Sequence, residues 1–403
     1  ESQGVLDGVS SGPRKIAFLF TGQGSQCLAM GRHLYETFDG FRQCLDELCG
    51  HLDSHLEEKL LDVIFADKGS AQAKLLNETL YTQPALFAVE AAVADFWQSL
   101  GVFPEVLLGH SIGELAAAYV SGVLSIEDAA KLVCARAKLM QACPTGGAMA
   151  SVASTEEEVR KAIASFDGRV DIAALNGPQQ TAVSGDADAV AAVVKVFEEC
   201  GVKTSELKVS HAFHSVHMDG MLADFEEVAQ TCPYRPAMIP VVSNVTGQLA
   251  TGDELVTAKY WVSHVRSAVR FVEGMHALME TGVRTFIECG PRGVLSAMGE
   301  ACVGSEQDVA FIPSLRKGKR ELDGFMKALG SVHCLGHELA WSLLTPGTRV
   351  NQDVPTYRFD GPQYWLDVSS RGTGPTHEKI FYGETWVQAR PSGHPAQKHR
   401  KRD

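Results

Sequence analysis

The stretch Val106-Leu-Leu-Gly109-His110-Ser111-Ile112-Gly113-Glu114-Leu-Ala-Ala-Ala-Tyr119 decides how this chain is read. A short apolar run, Val106 to Leu108, leads into a glycine-flanked turn, and Glu114 opens an alanine-rich segment of high helix propensity. Strand, tight turn, helix is the setting that a G-x-S-x-G elbow requires. A serine on so sharp a turn holds a strained backbone, and a side chain two residues before or after it would collide with the strand or the helix. The turn lifts the Ser111 hydroxyl above a helix N-terminus, where free N–H groups and the positive dipole end can stabilise an oxyanion. The pattern also arises by chance in a chain with 38 glycines. Its flanks favour catalysis, and the rest of the case has to come from elsewhere in the chain.

With 403 residues, two or three compact units are expected. Hydrophobic residues at 45% and charged residues at 21% are ordinary globular values. No apolar run approaches the roughly 18–20 residues that span a bilayer, and no secretory signal pattern opens the chain. The ten cysteines form no C-x-x-C pair and no metal-like spacing with histidine, so they read as reduced packing residues of a cytoplasmic protein. A net charge of −13 argues against nucleic acid. The first residue is Glu rather than Met, as expected of a segment from a longer polypeptide and equally of a processed chain.

Residues 1–14 read as a flexible lead-in. Lys15 to Phe20 is a buried-strand candidate followed by the glycine-rich loop Thr21 to Gln26, which has neither the P-loop Lys-Ser/Thr nor the dinucleotide fingerprint. Helical patterns fill 27–66, and Thr82 to Leu100 reads as an amphipathic helix. Ser125-x-x-Asp128 resembles a capping box and opens a helix to Cys143. The chain then changes character. Strand Ala148–Val152, helix Thr155–Phe166, strands Val170–Leu175 and Thr181–Ser184, helix Asp186–Cys200 and strand Lys203–Val209 follow in order. That βαββαβ order is the ferredoxin-like unit. The expected fold is therefore an α/β-hydrolase-like large subdomain, 15–146 and 211–315, with a ferredoxin-like small subdomain inserted at 147–210. Ile239–Ser243 and Thr285–Glu288 are further core strands of the large part. A C-terminal helix from Arg320 to His333 and an aromatic linker make up 316–366, and the polar stretch 367–403 is expected to be mobile.

A serine nucleophile needs a base, and His211-Ala212-Phe213-His214 lies where the large subdomain resumes. Two histidines within four residues at a junction, where clefts form, are better candidates than any single one of the 14 in the chain. From the residues alone, a serine esterase or thioesterase, a transferase and a degenerate docking module all stay open.

Six segments occur in a telling order: Phe20–Gln26 (FTGQGSQ), Thr82–Glu90 (TQPALFAVE), Gly109–Ser125, Ala212–Ser215 (AFHS), Ser243–Gly247 (SNVTG) and Glu288–Pro291 (ECGP). Together they resemble the malonyl-CoA:acyl carrier protein transacylase family, and in particular the acyltransferase domains of modular polyketide synthases. Val354–Phe359 with Tyr364-Trp365 looks like the linker that follows those domains. The resemblance implies Ser111 as nucleophile, with His214 rather than His211 as base in a Ser-His dyad oriented by a carbonyl near Ser243–Gly247. It implies the backbone N–H groups of Gln23 and Ile112 as the oxyanion hole. Arg136, at 136 − 111 = 25 residues past the serine, would hold a malonate carboxylate with a planar fork. Gln83, His110, Phe213 and Asn244 would line the substrate. The HAFH segment, with Ile112 in place of Gln, goes with malonyl rather than methylmalonyl; Val216-His217 departs from the family pattern. The implied partners are malonyl-CoA, an acyl carrier protein docking near Arg266 and Arg270, and a ketosynthase reached through linkers. No metal or redox cofactor is implied.

Overall fold

The computed structural model describes residues 12–207, 209–304, 308–316 and 321–344, all within one compact unit. Expectations for the lead-in, the aromatic linker with Val354–Phe359 and Tyr364-Trp365, and the tail fall wholly or mostly outside these residues. Nine strands are described: β1 Ile16–Phe20, β2 Val106–Gly109, β3 Gly147–Val152, β4 Val170–Gly177, β5 Gln180–Asp186, β6 Thr204–Leu207, β7 Val241–Val242, β8 Thr285–Glu288 and β9 Ala310–Pro313.

They form two sheets. The larger is parallel throughout, in the order β7-β2-β1-β8-β9. Its central strands are buried along their whole length, which is why they read as continuous apolar runs rather than alternating ones. The smaller, in the order β4-β5-β3-β6, is antiparallel at every pairing, with helices Glu156–Ile163 and Ala187–Glu199 packed on it. This is the ferredoxin-like order, and the unit has its own core of Val152, Val159, Val183, Val193 and Phe197. The α/β-hydrolase-like large subdomain carries the small one as an insertion.

Several elements differ from their sequence reading. The β4–β5 hairpin is tighter than expected: Gly177 pairs with Gln180, so Asn176 and Gly177 belong to the strand and only two residues turn. The helix Thr79–Ser99 is buried on nearly every face rather than amphipathic, because other helices surround it and leave no polar side. Strand β9 and helix Ala71–Leu75 were not anticipated. The capping signal at Ser125 holds, its hydroxyl accepting from the Asp128 N–H at 3.2 Å, and the helix Glu156–Ile163 opens on a full capping box at Thr155 and Glu158 that was not anticipated.

The elbow shows why its glycines are needed. A Cβ on Gly113 would stand 2.2 Å from the Phe20 carbonyl oxygen, and one on Gly109 would stand 2.1 Å from the Glu114 nitrogen. Strand β1, strand β2 and helix Ile112–Val120 therefore meet backbone to backbone. Gly113→Ala must push the helix off β1, a strain of about 1–3 kcal/mol or more. We expect a melting temperature lower by several degrees, read by calorimetry; an unchanged melt would mean that the elbow yields freely.

Candidate active site

Ser111 stands between β2 and the N-terminus of helix Ile112–Val120, at φ 53° and ψ −115°. Few residues other than glycine hold such angles, and they persist only where the surroundings impose them. His214, on the loop after the small subdomain, also has a positive φ, 55°. Its Nε2 lies 2.8 Å from Ser111 Oγ, and its Nδ1 lies 2.8 Å from the Ser267 carbonyl oxygen. A carbonyl can only accept, so Nδ1 carries the hydrogen and Nε2 turns its lone pair to the serine. Burial, then the positive charge of Arg136, hold the imidazole well below its ordinary pKa. It is therefore neutral, and able to take a proton, at pH 7. The orienting carbonyl is thus that of Ser267 and not one of the Ser243–Gly247 segment. His211 is buried elsewhere, with Nδ1 3.0 Å from Ser210 Oγ.

Arg136 projects from helix Ile126–Gln141 and is 1% exposed. Its Nη1 donates to Gln83 Oε1 at 2.7 Å and its Nη2 to Ser111 Oγ at 3.1 Å, while Nε meets no acceptor. No carboxylate forms an ion pair with it among the described residues. Burial pushes its pKa down to about 9, which leaves the guanidinium charged at neutral pH. A buried charge without a counter-ion costs several kcal/mol, and an anionic ligand would relieve that cost.

These groups open on a cleft of about 300 Å³ between the subdomains. Gln23, Gln83, His110 and Phe213 line it, as expected, and Met140, Met149 and Asn176 line it as well. Asn176 accepts from His110 Nε2 at 2.8 Å and so ties the small subdomain to the elbow. Burial lowers the His110 pKa, which keeps that ring neutral. The Gln23 and Ile112 N–H groups donate to no acceptor among the described residues.

The profile of one protein family, described as "Acyl transferase domain", matches residues 17–338, from β1 to beyond the helix Glu321–Cys334. The chain belongs to the acyl transferase domain family. Polyketide synthase GfsA of Streptomyces halstedii is 46% identical over 361 residues, covering 89% of this chain and 5% of that synthase. The chain thus spans a small part of the curated relatives it matches. Among solved structures, it is similar to the acyltransferase domain from the second module of the salinomycin polyketide synthase. That match has 44% identity and a TM-score of 0.79, and covers 85% of this chain and 79% of that one. It is also similar to the malonyl-CoA:acyl carrier protein transacylase FabD from Xanthomonas oryzae, at 29% identity and a TM-score of 0.71, over 81% of this chain and all of that one. Kinship therefore places this chain with the acyltransferase domains of polyketide synthases.

Within the acyltransferase domain, other expected residues stand elsewhere. Asn244, expected at the substrate, is buried behind the elbow. Its Oδ1 accepts from the Ser111 N–H and its Nδ2 donates to the Gly109 carbonyl, both at 2.8 Å. The Asn244 N–H in turn donates to Glu114 Oε2 at 2.9 Å, and Tyr260 donates to Glu114 Oε1. The Ile112 side chain packs in the large core and not on the cleft. His217 pairs with Asp186 at 2.8 Å, and Val216 N–H donates to Asp171, so the unusual Val216-His217 pair fastens the two subdomains. Arg266 and Arg270, expected to meet a carrier protein, are each matched by two carboxylates: Asp171 and Asp219, and Glu156 and Glu273. Neither is a spare cation. None of the ten cysteines is joined in a disulfide, and among the described residues no helix is long and apolar enough to cross a membrane.

Proposed function

We propose that this acyltransferase domain moves a malonyl group from malonyl-CoA to the phosphopantetheine thiol of an acyl carrier protein, by way of a malonyl ester on Ser111. The observation that carries this reading is Arg136, a buried guanidinium without a carboxylate partner, 3.1 Å from Ser111 Oγ. A thioester placed with its free carboxylate on that fork brings its carbonyl to the serine.

His214 Nε2 takes the Ser111 proton as Oγ attacks the thioester carbon. The negative charge that grows on the thioester oxygen falls to the Gln23 and Ile112 N–H groups. The C–S bond then breaks, and the imidazolium returns its proton to the coenzyme A sulfur. In the second half His214 deprotonates the carrier thiol, whose sulfur attacks the ester carbon; the C–Oγ bond breaks and the imidazolium returns its proton to Ser111 Oγ. The reaction so written calls on no cofactor. Phe213, on the cleft wall, takes up room that an α-methyl would need, which favours malonyl. The domain would do this as one segment of a polyketide synthase beside a ketosynthase.

Incubation with malonyl-, methylmalonyl- and acetyl-CoA, followed by intact-mass measurement, tests the reading. A malonyl adduct that Ser111→Ala removes is the expected result. Equal loading of methylmalonyl would overturn the selection, and release of free acid with no adduct would favour the hydrolase.

A further inference from the structure

Running back from the cleft wall, three buried side chains form a line that the reaction above does not use. Glu90, on the helix Thr79–Ser99, is fully buried, as is Thr21, and Ser25 is nearly so. The Glu90 carboxyl contacts Thr21 Oγ1. Thr21 Oγ1 lies 2.8 Å from Ser25 Oγ, and Ser25 Oγ donates to the Gly22 carbonyl at 2.9 Å. Both ends of this line bear on the glycine-rich loop. The loop itself leans on the elbow, since a Cβ on Gly22 would stand 2.9 Å from the His110 ring. Thr21 is pinned from its far side as well, because a Cβ on Gly290 would meet its methyl carbon at 2.3 Å.

The hydrogens can be counted. The Gly22 carbonyl only accepts, so the single Ser25 hydroxyl hydrogen is committed to it. Ser25 Oγ must then accept from Thr21, which commits the single Thr21 hydrogen. Nothing remains for the Thr21–Glu90 contact unless the carboxyl brings its own. Three contacts need three hydrogens, and two hydroxyls supply two. An ionised Glu90 would leave two lone pairs facing each other at 2.8 Å between Thr21 and Ser25. Glu90 Oε2 has no partner, which a neutral carboxyl bears at less cost than a buried carboxylate would. Burial raises the Glu90 pKa well above the usual carboxylate range, outweighing the lowering by its hydrogen bonds with Thr21, and the nearby Glu288 adds a smaller push in the same direction as burial.

We propose that Glu90 is a positioning residue that donates the third hydrogen of a one-way chain, Glu90 to Thr21 to Ser25 to the Gly22 carbonyl. That chain fixes the peptide carrying the Gln23 N–H. The proposal rests on the reading that this N–H receives the oxyanion. Each donor–acceptor direction in the chain is set by the one before it, so the loop has one hydrogen-bonded arrangement and the donor one aim.

The test uses the full 403-residue chain and single-turnover acylation by malonyl-CoA. Isotope-edited infrared of the ester carbonyl is read alongside. Thr21→Val is isosteric and removes the middle link; Glu90→Val removes the first. Each is expected to slow acylation roughly 10- to 100-fold, a share of the 10²–10³ that a whole oxyanion donor is worth. The half-saturating malonyl-CoA concentration should hold, and the ester carbonyl frequency should rise as its hydrogen bond weakens. Glu90→Gln, whose amide can donate to Thr21 Oγ1, and Thr21→Ser should recover most of the lost rate. A Glu90→Gln variant as slow as Glu90→Val would overturn the proposal. So would a lowered melting temperature in Thr21→Val with rate and carbonyl frequency unmoved. If Glu90→Val does not fold, Thr21→Val and Thr21→Ser decide the matter. A wild type that takes no acyl group on Ser111 would overturn the proposed function first, visibly and separately.

Discussion

Ser111→Ala is expected to abolish acyl-enzyme formation while the protein stays folded, and His214→Ala to slow acylation by a factor on the order of 10²–10⁴. The serine variant removes the oxygen on which the proposed acyl ester forms. The histidine variant keeps that atom but leaves its proton without the acceptor that now stands 2.8 Å away. The pH profile gives an independent check. The folded pKa of His214 lies well below the free value, so the neutral, proton-accepting form persists as pH falls through 6.5. Acylation should stay level from pH 8 to about 6.5 and fall only at lower pH, as the imidazole finally protonates. Rapid-quench acylation across that range would show it. A midpoint at or above 6.5 would contradict the buried, Arg136-facing base, and His211→Ala more damaging than His214→Ala would move the role to the other ring.

Arg136→Ala is expected to lower malonyl loading by roughly 10²–10³-fold, within the 2–5 kcal/mol that separates a buried charge pair from a half-pair. Acetyl loading should hold or rise. The two acyl groups differ by one carboxylate, and the three methionine and phenylalanine side chains Met140, Met149 and Phe213 on the cleft wall cannot tell them apart by size. The guanidinium can, because an acetyl methyl leaves it buried and unpaired. Arg136→Lys should fall between, a point charge having replaced a fork that now spans Gln83 and Ser111. Loading rates for malonyl- and acetyl-CoA on the three proteins decide it. An unchanged ratio in Arg136→Ala would reduce Arg136 to a scaffold for Gln83.

Where local rules dominate, the sequence was a sound guide. The elbow was legible because three backbones meet there and only glycine fits. The small subdomain was legible because its strands and helices follow one another with turns and caps to mark them, although of its antiparallel pairings only β4–β5 joins neighbours along the chain. Strand β9 was not: four residues beside a central strand carry no periodicity of their own, and their pairing with β8 is purely tertiary. Ser267 could not have been found, since it acts through a carbonyl that every residue possesses. Asn244 was found but misplaced. Its motif marks the elbow's neighbourhood without telling which side of the serine the side chain takes. That Arg266 and Arg270 are each paired with carboxylates was not legible, because net charge says nothing about which carboxylates fold against which arginines.

The left-handed backbone at both Ser111 and His214 has a practical side. Each such residue costs on the order of 1–3 kcal/mol, held in place by the packing around it. A directed-evolution campaign scored on heat resistance alone would accept glycine at these two positions as readily as at Ala29 and Asp167, the other non-glycine residues of positive φ among the described residues, and at these two it would abolish the chemistry. Thermostable lineages of this domain therefore need turnover in the screen from the first round, because the fold and the reaction compete for the same two peptide units.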